Sequence, residues 1–151
     1  MSKPFTIGLA ILSSALLLTA CGEPEDTRPG QPVKHRQQAF KEIIKSFEPM
    51  GVMLRKGTFD AERFDKLSAE LIAKREGPWS YFGADTNYPP TKATGEVWKQ
   101  PEAFEKEKQA FIAATDKLQE AVKSRDKAAV EKAYDAVHDS CKSCHKQFKE
   151  R

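Results

Sequence analysis

The clearest chemical signal in the sequence is a Cys-x-x-Cys-His motif formed by Cys141, Cys144 and His145. This pattern is the attachment motif of haem c. On a helix, residues three and four positions apart share one face, so two thiols can add to the two vinyl groups along one porphyrin edge. The histidine that follows can turn its imidazole under the iron as an axial ligand. The motif therefore predicts one covalently attached haem c, with His145 as the iron ligand.

Other uses of two cysteines and a histidine fit the sequence less well. A structural zinc site needs a fourth ligand, and the only other cysteine, Cys21, has a different predicted role. A thioredoxin-like redox pair requires a βαβ context, for which the sequence gives no pattern. Two inert core cysteines would leave His145 unexplained. Covalent haem attachment remains the best interpretation of the motif.

The residue on the other face of the iron follows from the expected helix geometry. In an antiparallel bundle the end of the last helix lies level with the start of the first, which places Phe40 at the height of the iron. Met50 lies ten residues further along, about 15 Å away, and Met53 is further still. A phenyl ring cannot ligate iron, so we expect a five-coordinate haem. Its apolar, crowded distal side disfavours O₂ but admits NO or CO if Phe40 moves.

The two remaining histidines are not expected to ligate the iron. His138 lies seven residues before His145, about 10 Å along the same helix, and is predicted to face the surface or a loop. His35 begins the first helix, and it could compete for the iron only if the N-terminus folded over the site.

Amphipathic segments are expected to position these residues. The first predicted helix covers roughly residues 33–54, and Pro49 inside it is expected to kink it or to end its regular part. The last predicted helix follows Asp126 as its N-cap. Its apolar positions recur every three or four residues, so this helix should face a core along its whole length. These positions are Val130, Tyr134, Val137, Cys141, Cys144 and Phe148.

Two further helices complete the predicted fold. Asp60 is expected to cap the second helix, which closes at Gly77-Pro78, and Pro101 suits the first turn of the third. The connection over residues 77–100 is long and rich in proline and aromatic residues, which favours a packed loop over a bare linker. No segment alternates as a strand does. We predict an all-α fold, an antiparallel four-helix bundle over residues 33–151.

The first residues are predicted to be a targeting signal. Residues 1–20 contain a charge-free apolar stretch of roughly 14 residues, which is too short for a membrane span of about 20 and fits a signal peptide. Leu18-Thr19-Ala20-Cys21 resembles a bacterial lipobox, in which Cys21 becomes the lipidated first residue. By the same resemblance, Gly22 favours the outer membrane. Residues 21–32 are polar and proline-rich, and we expect them to form a tether. A plain secretory peptide with an incidental cysteine is the alternative.

The charge balance limits the possible partners. The 151 residues contain 25 Lys plus Arg and 22 Asp plus Glu, a formal net charge of +3. Such an even balance argues against a dedicated nucleic-acid binder.

With these residues identified, residues 33 to 150 resemble the cytochromes c′ along nearly their whole length. Four pieces of sequence carry the resemblance: Arg36-Gln37-x-Ala39-Phe40, Pro78-Trp79-x-x-Phe82-Gly83, Thr91-Lys92-Ala93 with Glu96-x-Trp98, and Ser140-Cys141-Lys142-x-Cys144-His145. The resemblance implies a bundle with a five-coordinate, high-spin haem c and an apolar distal residue at the Phe40 position.

The resemblance also implies haem contacts and partners. It places haem propionate contacts near Arg36 and Gln37 and in the Thr91–Lys92 loop, in agreement with the ability of cationic and amide groups to donate to carboxylates. Many relatives are dimers that use the first two helices, and the family is associated with NO binding and protection from NO.

This chain departs from the family pattern at two positions beside the haem. Lys149 stands where relatives usually have Arg, and a single ammonium group lacks the planar fork of a guanidinium. Phe40 is bulkier than the Leu often found there, which could slow or block distal ligands.

Three functions remain open at this point. The first is a gas-binding haem protein for NO with little ordinary catalysis. The second is a membrane-tethered, low-spin electron-transfer cytochrome with an unknown redox partner, which the absence of Met at position 40 disfavours. The third is a helical lipoprotein without haem.

Overall fold

The structure is a computed structural model that describes residues 24–150. Five α-helices lie in this range: α1 (Pro32–Lys56), α2 (Ala61–Lys74), α3 (Glu96–Lys99), α4 (Pro101–Lys123) and α5 (Lys127–Phe148). The four long helices pack in chain order, with α1 against α2, α2 against α4 and α4 against α5. The predicted all-α four-helix bundle is confirmed. The predicted signal peptide, Cys21 and Gly22 lie outside the described residues.

Helix α1 extends beyond the predicted helix at both ends. It begins with Pro32 in its first turn and ends at Gly57, whose φ of 69° suits a residue without a β-carbon. It continues through Pro49, so the alternative that its regular part ends at the proline is wrong, while the alternative of a kink at Pro49 stays a prediction. Met50 and Met53 are buried on the far side of the proline, and we attribute the continuity of the helix to the burial of its apolar face.

The capping residues chosen from the sequence act as expected. The side chain of Asp60 accepts a hydrogen bond from the Arg63 amide at 3.0 Å, and Asp126 accepts one from the Ala128 amide at 2.9 Å. Each carboxylate satisfies a helix N–H that has no partner within the helix, and so fixes where α2 and α5 begin. Between residues 24 and 150, no helix is long and apolar enough to cross a bilayer.

An aromatic stack sets the register of α5 against α1. The rings of Phe47 and Tyr134 stack with centroids 4.3 Å apart. The backbone of Gly51 lies against the Tyr134 hydroxyl so closely that a β-carbon there would overlap it. Since α1 and α5 run antiparallel, moving seven residues back from Phe47 and seven forward from Tyr134 covers about 10 Å on each helix. This register places Phe40 level with Cys141.

The segment between α2 and α4 is packed, as predicted. It contains a 3₁₀ turn at Trp79–Tyr81 and the short helix α3. Tyr88 and Val97 are buried, and the Trp98 indole donates to the Gly83 carbonyl at 2.8 Å. A short antiparallel bridge joins Ala93 to Lys149, so this loop is fastened to the residue that follows α5.

The predicted tether needs a correction at its C-terminal part. Asp26 retains only 2% of its exposure, and its carboxylate accepts hydrogen bonds from the amides of Val33 and Lys34. These are the first amides of α1, which have no partner within the helix. The folded part therefore begins at least seven residues before Val33.

Candidate haem site

The final turns of α5 present the Cys-x-x-Cys-His motif at one end of the bundle. Both thiols are free and half-buried, and Cys141 packs against the hydrophobic core. Burial raises the pKa of Cys141, and burial with the nearby charge of Glu107 raises the pKa of Cys144 to about 11. Both thiols are thus held protonated at neutral pH. They could attach a macrocycle that lies between α5 and the interior.

His145 is more exposed than the two thiols. Partial desolvation, followed by the positive charge of Lys149, lowers the pKa of its imidazole. Both effects favour the neutral ring, which is the form that coordinates a metal. His145 could therefore serve as an axial ligand from the exposed side of the motif.

Aromatic side chains from the rest of the bundle form the apolar surface opposite the motif. Phe40 is half-buried and meets Trp79 edge-on with ring centroids 5.5 Å apart, and it meets Phe82 at 6.4 Å. Phe104 joins this group through Phe82 at 4.9 Å and reaches Phe148 at 5.3 Å. The group brings α1, the long loop, α4 and α5 together, and it provides the hydrocarbon surroundings that a porphyrin requires.

The residues present fit a haem by an independent criterion. Among the described residues, the indole Nε1 of Trp79 is a buried side-chain nitrogen without a hydrogen-bond partner. A buried donor without an acceptor is costly and uncommon in a finished protein interior. A carboxylate-bearing cofactor beside Trp79 is one source of the missing acceptor. The donor set of two thiols, one imidazole and an unsatisfied indole suits haem c.

The polar residues predicted near the propionates are brought together, but Arg36 is already occupied. Its guanidinium is buried and donates to the Tyr81 carbonyl at 3.1 Å and to both the hydroxyl (3.0 Å) and carbonyl (2.9 Å) of Thr86. It also donates to the Thr91 hydroxyl. All four terminal N–H groups of Arg36 are thereby used, and Arg36 organises the loop in this structure.

The other predicted propionate residues differ in their placement. Gln37 donates to the Pro90 carbonyl at 3.1 Å, which leaves its second amide hydrogen available. Lys92 is exposed at the edge of the site, and its backbone carbonyl accepts from the Glu150 amide. The roles of Tyr81 and Thr86 were not predicted, because backbone carbonyls and an isolated threonine give no sequence pattern.

Two backbone hydrogen bonds link the end of α5, next to His145, to the loop between α2 and α4. The Thr94 amide donates to the Phe148 carbonyl at 3.0 Å, and the Glu150 amide donates to the Lys92 carbonyl at 2.9 Å. Lys149, one of the two departures from the family pattern, is held in extended geometry between these bonds. Its backbone is therefore fixed beside the turn that carries His145. Only two residues of each segment take part in these hydrogen bonds. This is too few to give a strand pattern in the sequence.

The remaining candidate ligands lie away from the motif. Met50 and Met53 are buried in the core, and the register places Met50 about 15 Å from the level of Cys141. His138 is exposed, as predicted. His35 is exposed and stacks on Tyr81 with centroids 5.4 Å apart. Within residues 24–150, no group of three or more His, Cys, Asp or Glu side chains could hold a free metal ion.

The fold and the site together define a four-helix-bundle cytochrome of the c type. A family model described as cytochrome C′ matches residues 31–149, and the chain belongs to this family. Its cofactor is a single, covalently attached haem c.

Individual relatives agree with this assignment. The cytochrome c′ of Rubrivivax gelatinosus is 35% identical over 130 residues, which cover 82% of this chain and 98% of the relative. The structure of cytochrome c prime from Shewanella frigidimarina matches with a TM-score of 0.78 at 29% identity, over 83% of this chain and 98% of that one.

Solved structures with gases bound are also among the matches. A nitric oxide complex of a leucine-to-isoleucine variant of cytochrome c prime from Alcaligenes xylosoxidans has a TM-score of 0.77 at 27% identity, over 84% of this chain and 100% of that one. A carbon monoxide complex of a leucine-to-glycine variant of the same protein matches with a TM-score of 0.76, also at 27% identity and with the same coverage.

Proposed function

We propose that this protein binds NO, and also CO, at a five-coordinate, high-spin haem, and that NO binding or protection from NO is its role. The observation that carries the proposal is the position of Phe40, level with Cys141 and surrounded by Trp79 and Phe82. Hydrocarbon at this level leaves the iron without a second protein ligand. A small neutral gas with high affinity for iron needs no hydrogen-bond donor there.

Each predicted site residue has a part in this proposal. Cys141 and Cys144 are the thiols that would form the two thioether links, and His145 is the imidazole that would bind the iron. When bound, the haem supplies an iron with one open coordination position. Gln37, Thr91 and Lys92 lie where they can surround the propionates, and Arg36 holds the loop that carries Thr91.

Partial burial, followed by the positive charge of the nearby Lys149, lowers the pKa of the His145 imidazole. This charge lies on the proximal side of the haem. Since a lysine ammonium makes no bidentate contact, we expect weaker orientation of a proximal ligand than an arginine would give.

The positions of the other candidate iron ligands disfavour the alternative function, a low-spin electron-transfer cytochrome. That function needs a sulfur or nitrogen donor opposite His145, and Met50 is fully buried far along α1. His35 is engaged with Tyr81 at the surface. Electron exchange with a redox partner can accompany gas binding.

We also propose a location and a homodimer for this protein. We place the protein on the periplasmic side of a bacterial membrane, with the outer membrane favoured, anchored by lipid at Cys21.

A homodimer contact is suggested by Ile44. Among the described residues, Ile44 is the large hydrophobic residue that is exposed to solvent, with 51% of its surface accessible. Ile44, Pro49 and Val52 line a groove on α1. This groove is a suitable contact surface for a second copy of the chain.

Titration of the ferrous protein with NO and with CO under anaerobic conditions tests the gas-binding function. We expect one equivalent of each gas to bind and to shift the Soret band of the whole sample. A ferrous spectrum unchanged by saturating CO and NO would contradict the proposal. Pyridine haemochrome analysis of the same sample gives the haem content, so that loss of haem is not mistaken for loss of binding.

A further inference from the structure

Asp26 is buried at a junction of three parts of the chain. Its carboxylate accepts hydrogen bonds from the amides of Arg28 (3.1 Å), Val33 (2.9 Å) and Lys34 (3.2 Å), and from the Tyr88 hydroxyl at 3.0 Å. These donors belong to the N-terminal segment, to the first turn of α1 and to the loop between α2 and α4. The Asp26 side chain therefore joins the N-terminal segment to both the first helix and the loop.

Two neighbouring contacts strengthen this junction. The guanidinium of Arg28 lies over the Tyr88 ring, 3.8 Å from its centroid. The side chain of Gln31 donates to the backbone carbonyl of Asp26 at 2.9 Å. The Asp26 junction is thus a fixed point of the fold rather than a chance contact of a free tail.

The junction lies at the haem end of the bundle. Phe40 is seven residues beyond Val33, about 10 Å along α1. Tyr88 belongs to the same loop as Thr86 and Thr91, which hold Arg36 beside the site. The opposite end of the bundle, where α1 ends at Lys56, is about 35 Å from the junction along the helix.

The length of chain before the junction limits where a lipid anchor can lie. Asp26 is the fifth residue after Cys21, and even a fully extended chain spans at most about 18 Å over that length. If the hydrogen bonds to Asp26 were broken, the eleven residues up to Pro32 would span up to about 40 Å, as long as the bundle itself. The chain is therefore short enough to restrict which end of the protein meets the membrane only when the Asp26 hydrogen bonds are formed.

We propose that Asp26 orients the protein on the membrane, so that the haem-bearing end of the bundle faces a phospholipid bilayer surface. This inference rests on the proposed lipid attachment at Cys21. A redox partner or gas source in the membrane then meets the haem end, whereas the end formed by Lys56 and α2 points away.

Energy transfer from labelled lipid to the haem measures this orientation. The full-length, lipidated holoprotein is reconstituted into phosphatidylcholine–phosphatidylglycerol vesicles that contain a trace of headgroup-labelled fluorescent lipid. We compare the wild type with Asp26→Ala and with Tyr88→Phe, which removes one of the four hydrogen bonds. Because the reach of the chain roughly doubles when the junction opens, we expect transfer to fall about twofold or more in Asp26→Ala. Tyr88→Phe should lie between the two.

Glu25→Ala is the matched control. It removes a neighbouring carboxylate that forms an exposed ion pair with Lys34 at 3.4 Å. This variant should transfer energy as the wild type does. Hydrogen exchange of the Val33 and Lys34 amides should accelerate in Asp26→Ala and not in Glu25→Ala, which reports on the junction without reference to lipid.

The outcomes separate the two claims. Equal transfer for the wild type and Asp26→Ala, with both proteins floating with the vesicles, would overturn the orientation and leave the anchor intact. Unchanged exchange at Val33 and Lys34 in Asp26→Ala would also overturn it, because the junction would then not depend on this carboxylate. Failure of the wild type to float would overturn the anchor and the orientation together. NO binding by the same samples is scored separately, as the readout of the haem function.

Discussion

Truncation of Phe40 to alanine should speed the entry of gases to the iron. The ring is half-buried and rests edge-on against Trp79 and beside Phe82, so a ligand that displaces it must break these contacts. Full burial of a phenylalanine side chain contributes about 1.5–3 kcal/mol, and half of this range is roughly 0.8–1.5 kcal/mol. Since each 1.36 kcal/mol changes a rate tenfold, removal of the ring should speed CO association by about four- to twelvefold.

The assay is flash photolysis or stopped-flow mixing of CO with the ferrous protein. Phe59→Ala is the matched control, because Phe59 is also half-buried but packs on Phe64 outside the aromatic group of the haem site. The control should keep the wild-type rate while it carries a similar loss of apolar contact. A CO association rate in Phe40→Ala equal to that of the wild type and of Phe59→Ala would refute the assignment of Phe40 as the distal gate.

Three further predictions concern the ligand, the register and the N-terminal junction. His145→Ala should keep one haem per chain by mass spectrometry, because both thioether links remain, but should lose the wild-type ferric spectrum; a normal spectrum would contradict its role as ligand. Gly51→Ala should lower the free energy of unfolding by about 1–3 kcal/mol in urea titrations, because the new β-carbon overlaps the Tyr134 hydroxyl; an unchanged midpoint would contradict the register. For Asp26, burial alone would raise the pKa, but hydrogen bonds from Arg28, Lys34, Tyr88 and Val33 hold the pKa below its ordinary value. The charged form therefore stabilises the fold above the unfolded pKa near 4, and this contribution is lost as the pH falls through the lower folded pKa. Wild type should exceed Asp26→Asn in stability at pH 7, with the difference shrinking below about pH 4; a difference that does not change with pH would contradict the assignment.

Features that depend on local sequence could be predicted well. Asp60 and Asp126 stand where their carboxylates cap the following amides, and the apolar stripe of the last helix is buried at Val130, Val137 and Phe148. The level of Phe40 could also be predicted, because it follows from counting residues along antiparallel helices. The stack of Phe47 on Tyr134 fixes the same register.

Features that depend on tertiary contacts could not be predicted. Asp26 lies in a polar, proline-rich segment that looks like a linker, and its burial depends on Tyr88, 62 residues away. Pro49 was expected to kink α1 or to end its regular part, and the helix continues through it to Lys56. The commitment of Arg36 to Thr86 also depends on a loop conformation that no periodicity encodes.

The spectrum of the anaerobically reduced protein, without added ligand, tests the central claim most directly. A phenyl ring at the level of Cys141, across the bundle from the motif, predicts a five-coordinate, high-spin ferrous haem by visible absorption and magnetic circular dichroism. Phe40→Met is the positive control, because a thioether at that level should convert the haem to a six-coordinate, low-spin form. A six-coordinate, low-spin ferrous spectrum in the wild type would contradict the account, since it would require a second protein ligand on the iron.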